Sequence, residues 1–196
     1  LCLGKPDFAA IEPFRNDWFF STSLDLSSVP SEGTLRQRLD NAEGRFDSIL
    51  KEETLDMIKR HAPRISPCHN EHVPLDLDVS PFDNSGSLKE GVSWTYKNVD
   101  GYAPMLAYLG EEGYWINAEL REGSQHCQKG TPAFLRETIG YAKRVTSSPL
   151  LVRMDSGNDS LDNLKICLGE KADWLIKRNL RRESVESLVS GVEASV

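Results

Sequence analysis

The chain has 196 residues, 39% hydrophobic and 27% charged, with a formal net charge of −7, which is enough apolar material for one good core and a small second unit. The acid excess speaks against a simple nucleic-acid binder, because neutralising phosphates needs Lys and Arg; most of it falls between residues 71 and 170, and the stretch 171–196 is slightly basic. No run of 18 apolar residues occurs and no basic-then-apolar leader opens the chain, so a cytoplasmic globular protein is expected. Residues 1–29 mix turn formers with the aromatic stretch DWFF and read as an irregular lead-in. In VPSEGTLRQRLD, Ser31 or Thr34 is a helix N-cap, with Leu35 and Leu39 on one face. A second helix is predicted over 44–61, where Phe46, Ile49, Leu50, Leu55 and Ile58 keep helical spacing. Three prolines in HAPRISPCHNEHVP then mark a boundary near 62–72.

Beyond that boundary the period shortens. VPLDLDVS alternates like a strand, and GYAPMLAYLG and GYWINAELREG are two further strand-like runs joined by GEEG as an antiparallel hairpin. Residues 131–145 read as a helix with Pro132 in its first turn and Phe134, Leu135, Ile139 and Ala142 on one side. Strand LLVRMD, a helix over 159–168, strand DWLIKRN and a closing helix in RESVESLVSGV follow. From residue 73 the order is strand, strand, strand, helix, strand, helix, strand, helix. That order is α/β and ribonuclease-H-like: a mixed sheet of a three-strand meander followed by alternating helix and strand, with the first and fourth strands adjacent and parallel. The expected division is an N-terminal helical segment, 1–72, and a sheet-bearing core, 73–196.

Two strands end on acids, VPLDLDVS at Asp78 and PLLVRMD at Asp155. If the first and fourth strands are parallel neighbours, these carboxylates share one rim of the sheet. Held together they repel, and a divalent cation relieves the repulsion. Mg²⁺ takes hard oxygen ligands and shares its remaining positions with phosphate oxygens, so a pair of acids suits phosphoryl transfer. A strand-end Asp also commonly caps the turn or helix that follows it.

LDLDVSPFDNSGSLKEG, TYKNVDGYAPMLAYLG, AELREGSQHCQKG, LLVRMDSGN and ADWLIKRNLR, in this order, resemble the DDE transposases of bacterial insertion sequences over residues 30–182, and VPSEGTLRQRLD resembles the helical segment such proteins carry before the core. The resemblance puts the first metal-binding, catalytic Asp on Asp78 and the second on Asp155. It implies Mg²⁺ (or Mn²⁺), nicking of the element's DNA ends and their joining to target DNA. Its partners are then transposon-end and target DNA and a second copy in a homodimeric transposition complex, at the nucleoid in the cytoplasm. The family's third acid is a Glu within a Tyr/Arg/Glu/Lys pattern that this chain lacks. Glu183 and Glu186 follow the strand WLIK as substitutes, but the expectation is a C-terminally truncated core, a fragment inactive alone that ends before its third ligand.

DLDVS also fits the signature of haloacid-dehalogenase-like phosphatases, with Asp76 as nucleophile, Asp78 as acid/base, Lys143 available and MDSGND as a Mg²⁺ loop; a helix directly after the first strand would favour that reading, a meander the transposase. A third reading is a DNA-binding or assembly remnant. Lys177, Arg178, Arg181 and Arg182 in KRNLRR are candidate phosphate contacts, as His126 in GSQHCQKG is for the substrate, unless it bonds its own turn. Trp94 and Tyr96 are expected as core or strand-face residues, with base stacking as the alternative. The four cysteines form no CxxC pair, and Cys68-His69 with His72 reads as a polar, proline-rich linker rather than a metal site.

Overall fold

A computed structural model describes residues 7–42, 44–62, 64–68, 70–181 and 184–193. The chain divides into two compact units, Leu1–Glu52 and Glu53–Val196.

The first unit is more regular than an irregular lead-in. Asp7 caps a 3-10 turn over Phe8–Phe14 by accepting from the Ala10 amide at 2.9 Å, and Asp17 caps α1, Trp18–Ser23, through the Phe20 amide at 2.9 Å. The rings of Phe14 and Phe20 pack at 4.8 Å between centroids. These Asp caps satisfy amides that a short helix otherwise leaves bare. Ser31 caps α2, Glu32–Asp40, and the Glu12 carboxylate takes the Glu32 amide at 2.7 Å. α3, Phe46–His61, runs across the division between the units: Phe46, Ile49 and Leu50 are exposed, and Leu55 and Ile58, which belong to the second unit, are buried in its core.

The second unit is built on a five-stranded sheet of order β6-β5-β1-β7-β8. Its strands are β1 (Val73–Val79), β5 (Met105–Leu109), β6 (Tyr114–Glu119), β7 (Leu150–Met154) and β8 (Asp173–Ile176). β1 is central, antiparallel to β5 and parallel to β7; β5 and β6 run antiparallel, and β7 and β8 parallel. This is the meander-then-alternation topology expected from the sequence. Val73, Leu75, Leu77 and Val79 of β1 are buried in one core with Val152 of β7, Leu135 and Ile139 of α4 (Thr131–Val145) and Ile166 and Cys167 of α5 (Leu161–Gly169). Strand alternation therefore sends Asp76 and Asp78 to the opposite face. Gly110 and Gly113 supply the positive φ, 77° and 72°, of the GEEG turn. A closing helix, α6 (Val185–Glu193), follows β8.

A small second sheet, absent from the sequence expectation, lies between β1 and β5: β2 (Phe82–Asp83), β4 (Asp100–Tyr102) and β3 (Ser93–Trp94), in the order β2-β4-β3. The run GYAPMLAYLG splits at Pro104, which has no amide for a ladder. At Gly101 any Cβ would stand 1.8 Å from the Phe82 carbonyl oxygen, so the small sheet requires glycine there.

The linker before β1 is fastened to the sheet edge by His72, whose Nε2 lies 2.6 Å from Asp173 Oδ2 and whose Nδ1 lies 2.8 Å from the Asn70 carbonyl oxygen. The Asn70 carbonyl first, and then the Asp173 carboxylate, raise the imidazole pKa above its usual value. A raised folded-state pKa means that the contact's stabilisation is complete below the ordinary imidazole value and is lost as pH climbs through the folded one. An NMR titration of His72 is expected to give a midpoint above that of free histidine, lowered by Asp173→Asn; a midpoint indifferent to that substitution contradicts the contact.

Candidate active site

The parallel register of β1 and β7 pairs Leu75 with Val152, Asp76 with Arg153 and Leu77 with Met154. The next residues in step are Asp78 and Asp155. Neighbouring strands lie about 4.8 Å apart, so the two acids sit side by side on one rim of the sheet. Both are exposed, and both line two grooves. One, of about 540 Å³, also includes Trp94, Tyr96, His126 and Cys127. The other, of about 530 Å³, includes Asp76, Arg153 and Lys177.

Each acid has one oxygen engaged. Asp78 Oδ1 accepts from the Val79 amide at 2.9 Å. Asp155 Oδ1 accepts from the Gly157 amide at 3.1 Å and from Asn158 Nδ2 at 2.9 Å, capping the 3-10 turn Ser156–Asn158. Capping and a site role are thus compatible in Asp155, because among the described residues no hydrogen bond reaches Oδ2 of either acid. Two exposed carboxylates with free oxygens fit a hard divalent cation. Among the described residues no group of three His, Cys, Asp or Glu stands ready to enclose one.

Two neighbouring groups, Tyr96 and Cys127, stay neutral. Burial first, then the charges of Asp78 and Asp155, push the Tyr96 hydroxyl pKa up; burial first, then Asp155, does the same to the Cys127 thiol. Neither adds negative charge at neutral pH. The Tyr96 hydroxyl donates to the Val79 carbonyl at 3.0 Å.

Trp94 and Tyr96, expected in the core or on a strand face, are 58% and 62% exposed in the groove. Between them Thr95 is buried, bonded through its amide and its hydroxyl to the Val99 carbonyl, each at 2.9 Å. His126 bonds its own turn, its Nδ1 accepting from the Gln128 amide at 3.2 Å, and it lines the groove. Lys177 is exposed beside the acids. Arg178 pairs with Asp159 Oδ2 at 3.0 Å, and Arg181 donates to the Asp159 carbonyl at 3.2 Å, so these two face the start of α5. Arg182, Glu183 and His69 lie outside the described residues. Glu186 is exposed in the first turn of α6 and lines neither groove that holds the acids.

Three observations count against the phosphatase reading. β1 is followed by a meander, not a helix. Asp76, its nucleophile, is gripped by both prongs of the Arg153 guanidinium, a bidentate pairing that occupies the oxygens needed for attack. Lys143 is committed to Glu170, with Nζ 3.0 Å from its carboxylate. Cys68 bonds to Asn70 and to the His72 carbonyl, as a linker residue does.

Residues not singled out from the sequence also shape the site. Asn158 and Asn163 are fully buried, and Asn163 Nδ2 holds the Asn158 carbonyl at 2.9 Å. Their only signal was the polar cluster SGNDSLDN.

The amino-acid sequence matches the family described as "Transposase DDE domain group 1" over residues 1–192, well beyond the stretch that carried the resemblance. No curated protein matches. Among solved structures, the chain is similar to a Mos1 transposase paired-end complex with left transposon end, with 12% identity, 98% of this chain and 72% of that one covered, and a TM-score of 0.37. It is also similar to a piggyBac transposase synaptic complex with hairpin DNA, with 20% identity, coverage of 63% and 26%, and a TM-score of 0.35. A third is a simian T-cell lymphotropic virus intasome in complex with a PP2A regulatory subunit, with 15% identity, coverage of 69% and 43%, and a TM-score of 0.38. The chain therefore spans less than half of the viral and piggyBac chains. With the family match running over nearly its whole length, and a meander leading into alternating strands that brings two acids to one rim, the chain belongs to the DDE transposase domain family, group 1.

Proposed function

We propose that this chain is the core of an insertion-sequence DNA transposase, acting at the nucleoid on transposon-end and target DNA, with a second copy in the transposition complex. The observation that carries the reading is the β1/β7 register, which sets Asp78 beside Asp155 with an oxygen of each unengaged. These two carboxylates would hold a divalent cation, Mg²⁺ or, in its place, Mn²⁺. When bound, such an ion polarises a phosphate and lowers the cost of activating the attacking oxygen. The rest falls to this chain's own groups. The sheet fixes the acids' spacing. Lys177 offers a positive charge to a phosphate at the rim, and His126 a ring nitrogen to the substrate. The faces of Trp94 and Tyr96 suit unpaired bases. Arg178 neutralises Asp159, and Arg181, bonded to the Asp159 carbonyl, adds positive charge at the α5 start; Arg182 extends the same basic run in sequence. Among the described residues no third carboxylate joins the two acids. The segment 1–72 serves end binding or assembly.

Titration of the chain with Mn²⁺, followed by the loss of the free-ion paramagnetic resonance signal, is expected to show binding that Asp78→Asn removes. Binding unchanged by Asp78→Asn would take the metal role from this acid. For the DNA contact, Lys177→Ala is expected to weaken duplex binding evenly across sequences and to lower the salt slope by about one; an unaltered slope excludes that contact.

A further inference from the structure

The aim of the Asp155 carboxylate is not set by β7 alone. Arg121 follows β6 and is 3% exposed; its Nη2 has no partner among the described residues, and the bonds of its other two nitrogens anchor the loop. Its Nε binds Glu119 Oε1 at 2.9 Å, and its Nη1 donates to the Cys127 carbonyl and the Thr131 hydroxyl, each at 3.0 Å. The Thr131 hydroxyl donates to the same Cys127 carbonyl. The loop is thereby fixed at Cys127, and its next contacts cross to the turn that follows β7. Cys127 Sγ and Gln128 Nε2 both donate to the Gly157 carbonyl at 3.0 Å, and Gln128 Nε2 also reaches the Asp159 carbonyl at 3.4 Å.

The turn so clamped is the one that holds Asp155. The Gly157 amide and Asn158 Nδ2 converge on Oδ1, which leaves Oδ2 as the oxygen available to the groove. The clamp is tight: a Cβ at Gly157 would stand 3.1 Å from Cys127 Sγ and 3.3 Å from Asp155 Oδ1. None of these bonds belongs to a helix or a sheet ladder. They join the end of β6 to the end of β7 at the rim where the acids lie.

We infer that Gln128, anchored through the Arg121-bound loop, is a positioning residue that fixes the rotamer of Asp155 so that one oxygen caps the turn while the other faces the cation. The inference rests on the metal-binding reading of Asp78 and Asp155. It assigns Gln128 no contact with substrate. Removal of partners that orient a ligand typically costs 10- to 100-fold in metal affinity.

The test uses the whole chain with Gln128→Met, which keeps the volume and removes the donor, and Gln128→Glu, which keeps the shape and sets a carboxylate against two carbonyls. Amide exchange of residues 155–159 is expected to quicken about tenfold in Gln128→Met, with exchange in β1 and α4 unchanged, and the Mn²⁺ Kd to rise at least about tenfold, more in Gln128→Glu. Unchanged exchange at 155–159 overturns the inference, as does faster exchange there with an unaltered Kd. Faster exchange across the whole core also overturns it, because Gln128 would then be a general packing residue. A wild-type chain that binds no Mn²⁺ refutes the metal-binding reading, while the exchange data still decide whether Gln128 clamps the turn.

Discussion

Asp155→Asn and Asp78→Asn, each placed in the transposase and assayed for cutting of element ends, are expected to lower the rate by at least about a hundredfold, the scale on which loss of one preorganised electrostatic group acts. Asparagine keeps the shape of each side chain and an oxygen that still accepts from the Gly157 or Val79 amide. The turn and the strand end therefore survive, and the melting temperature is expected to hold. What disappears is the negative charge that makes the rim a cation site. Because the two acids act as one unit, the double variant is expected to be little worse than either single one. Additive losses would mean that they work separately.

Leu135→Ala gives the contrasting result. Leu135 is 0% exposed in α4, within the core that holds the buried face of β1 and β7. Truncation leaves a cavity, and such changes cost about 2 to 5 kcal/mol, which lowers the melting temperature by on the order of 10 °C. Below the transition the register of β1 and β7 persists, so Mn²⁺ affinity is expected to match the wild type. Stability measured by thermal unfolding and affinity measured by titration should thus separate: the acids govern one and the core the other. A Leu135→Ala chain that is fully folded yet has lost its affinity would show that the rim depends on core packing more closely than the strand register implies.

The parts of the fold that were legible were those written as local patterns. The alternation of VPLDLDVS fixed which residues of β1 are buried and placed Asp78 on the open face. Pro132, GEEG and the Ser31 cap marked their elements because each supplies a specific backbone need. The two acids were readable as a pair only through the order of the elements, since nothing local links residue 78 to residue 155.

The parts that were not legible depend on contacts between distant residues. The small sheet rests on strands of two or three residues, too short to show a period, and on close backbone approach at Gly101 and Gly123, where a Cβ would stand 2.1 Å from the Ser93 carbonyl oxygen. That sheet makes Trp94 a strand residue, and it stands with Tyr96 in the groove rather than in the core. The four cations of KRNLRR were candidate phosphate contacts, yet Asp159 draws Arg178 and Arg181 to itself, and Lys177 alone of the described cations in that run lines a groove with the acids. The pairing of Asp76 with Arg153, 77 positions apart, likewise has no local sign.

The most direct test of the cation site is a crystal of the chain soaked in Mn²⁺ and measured at the manganese absorption edge. An anomalous peak between the Asp78 and Asp155 carboxylates is the result expected here. Carboxylates that diverge, with no peak between them while manganese binds at another place on the chain, would contradict it.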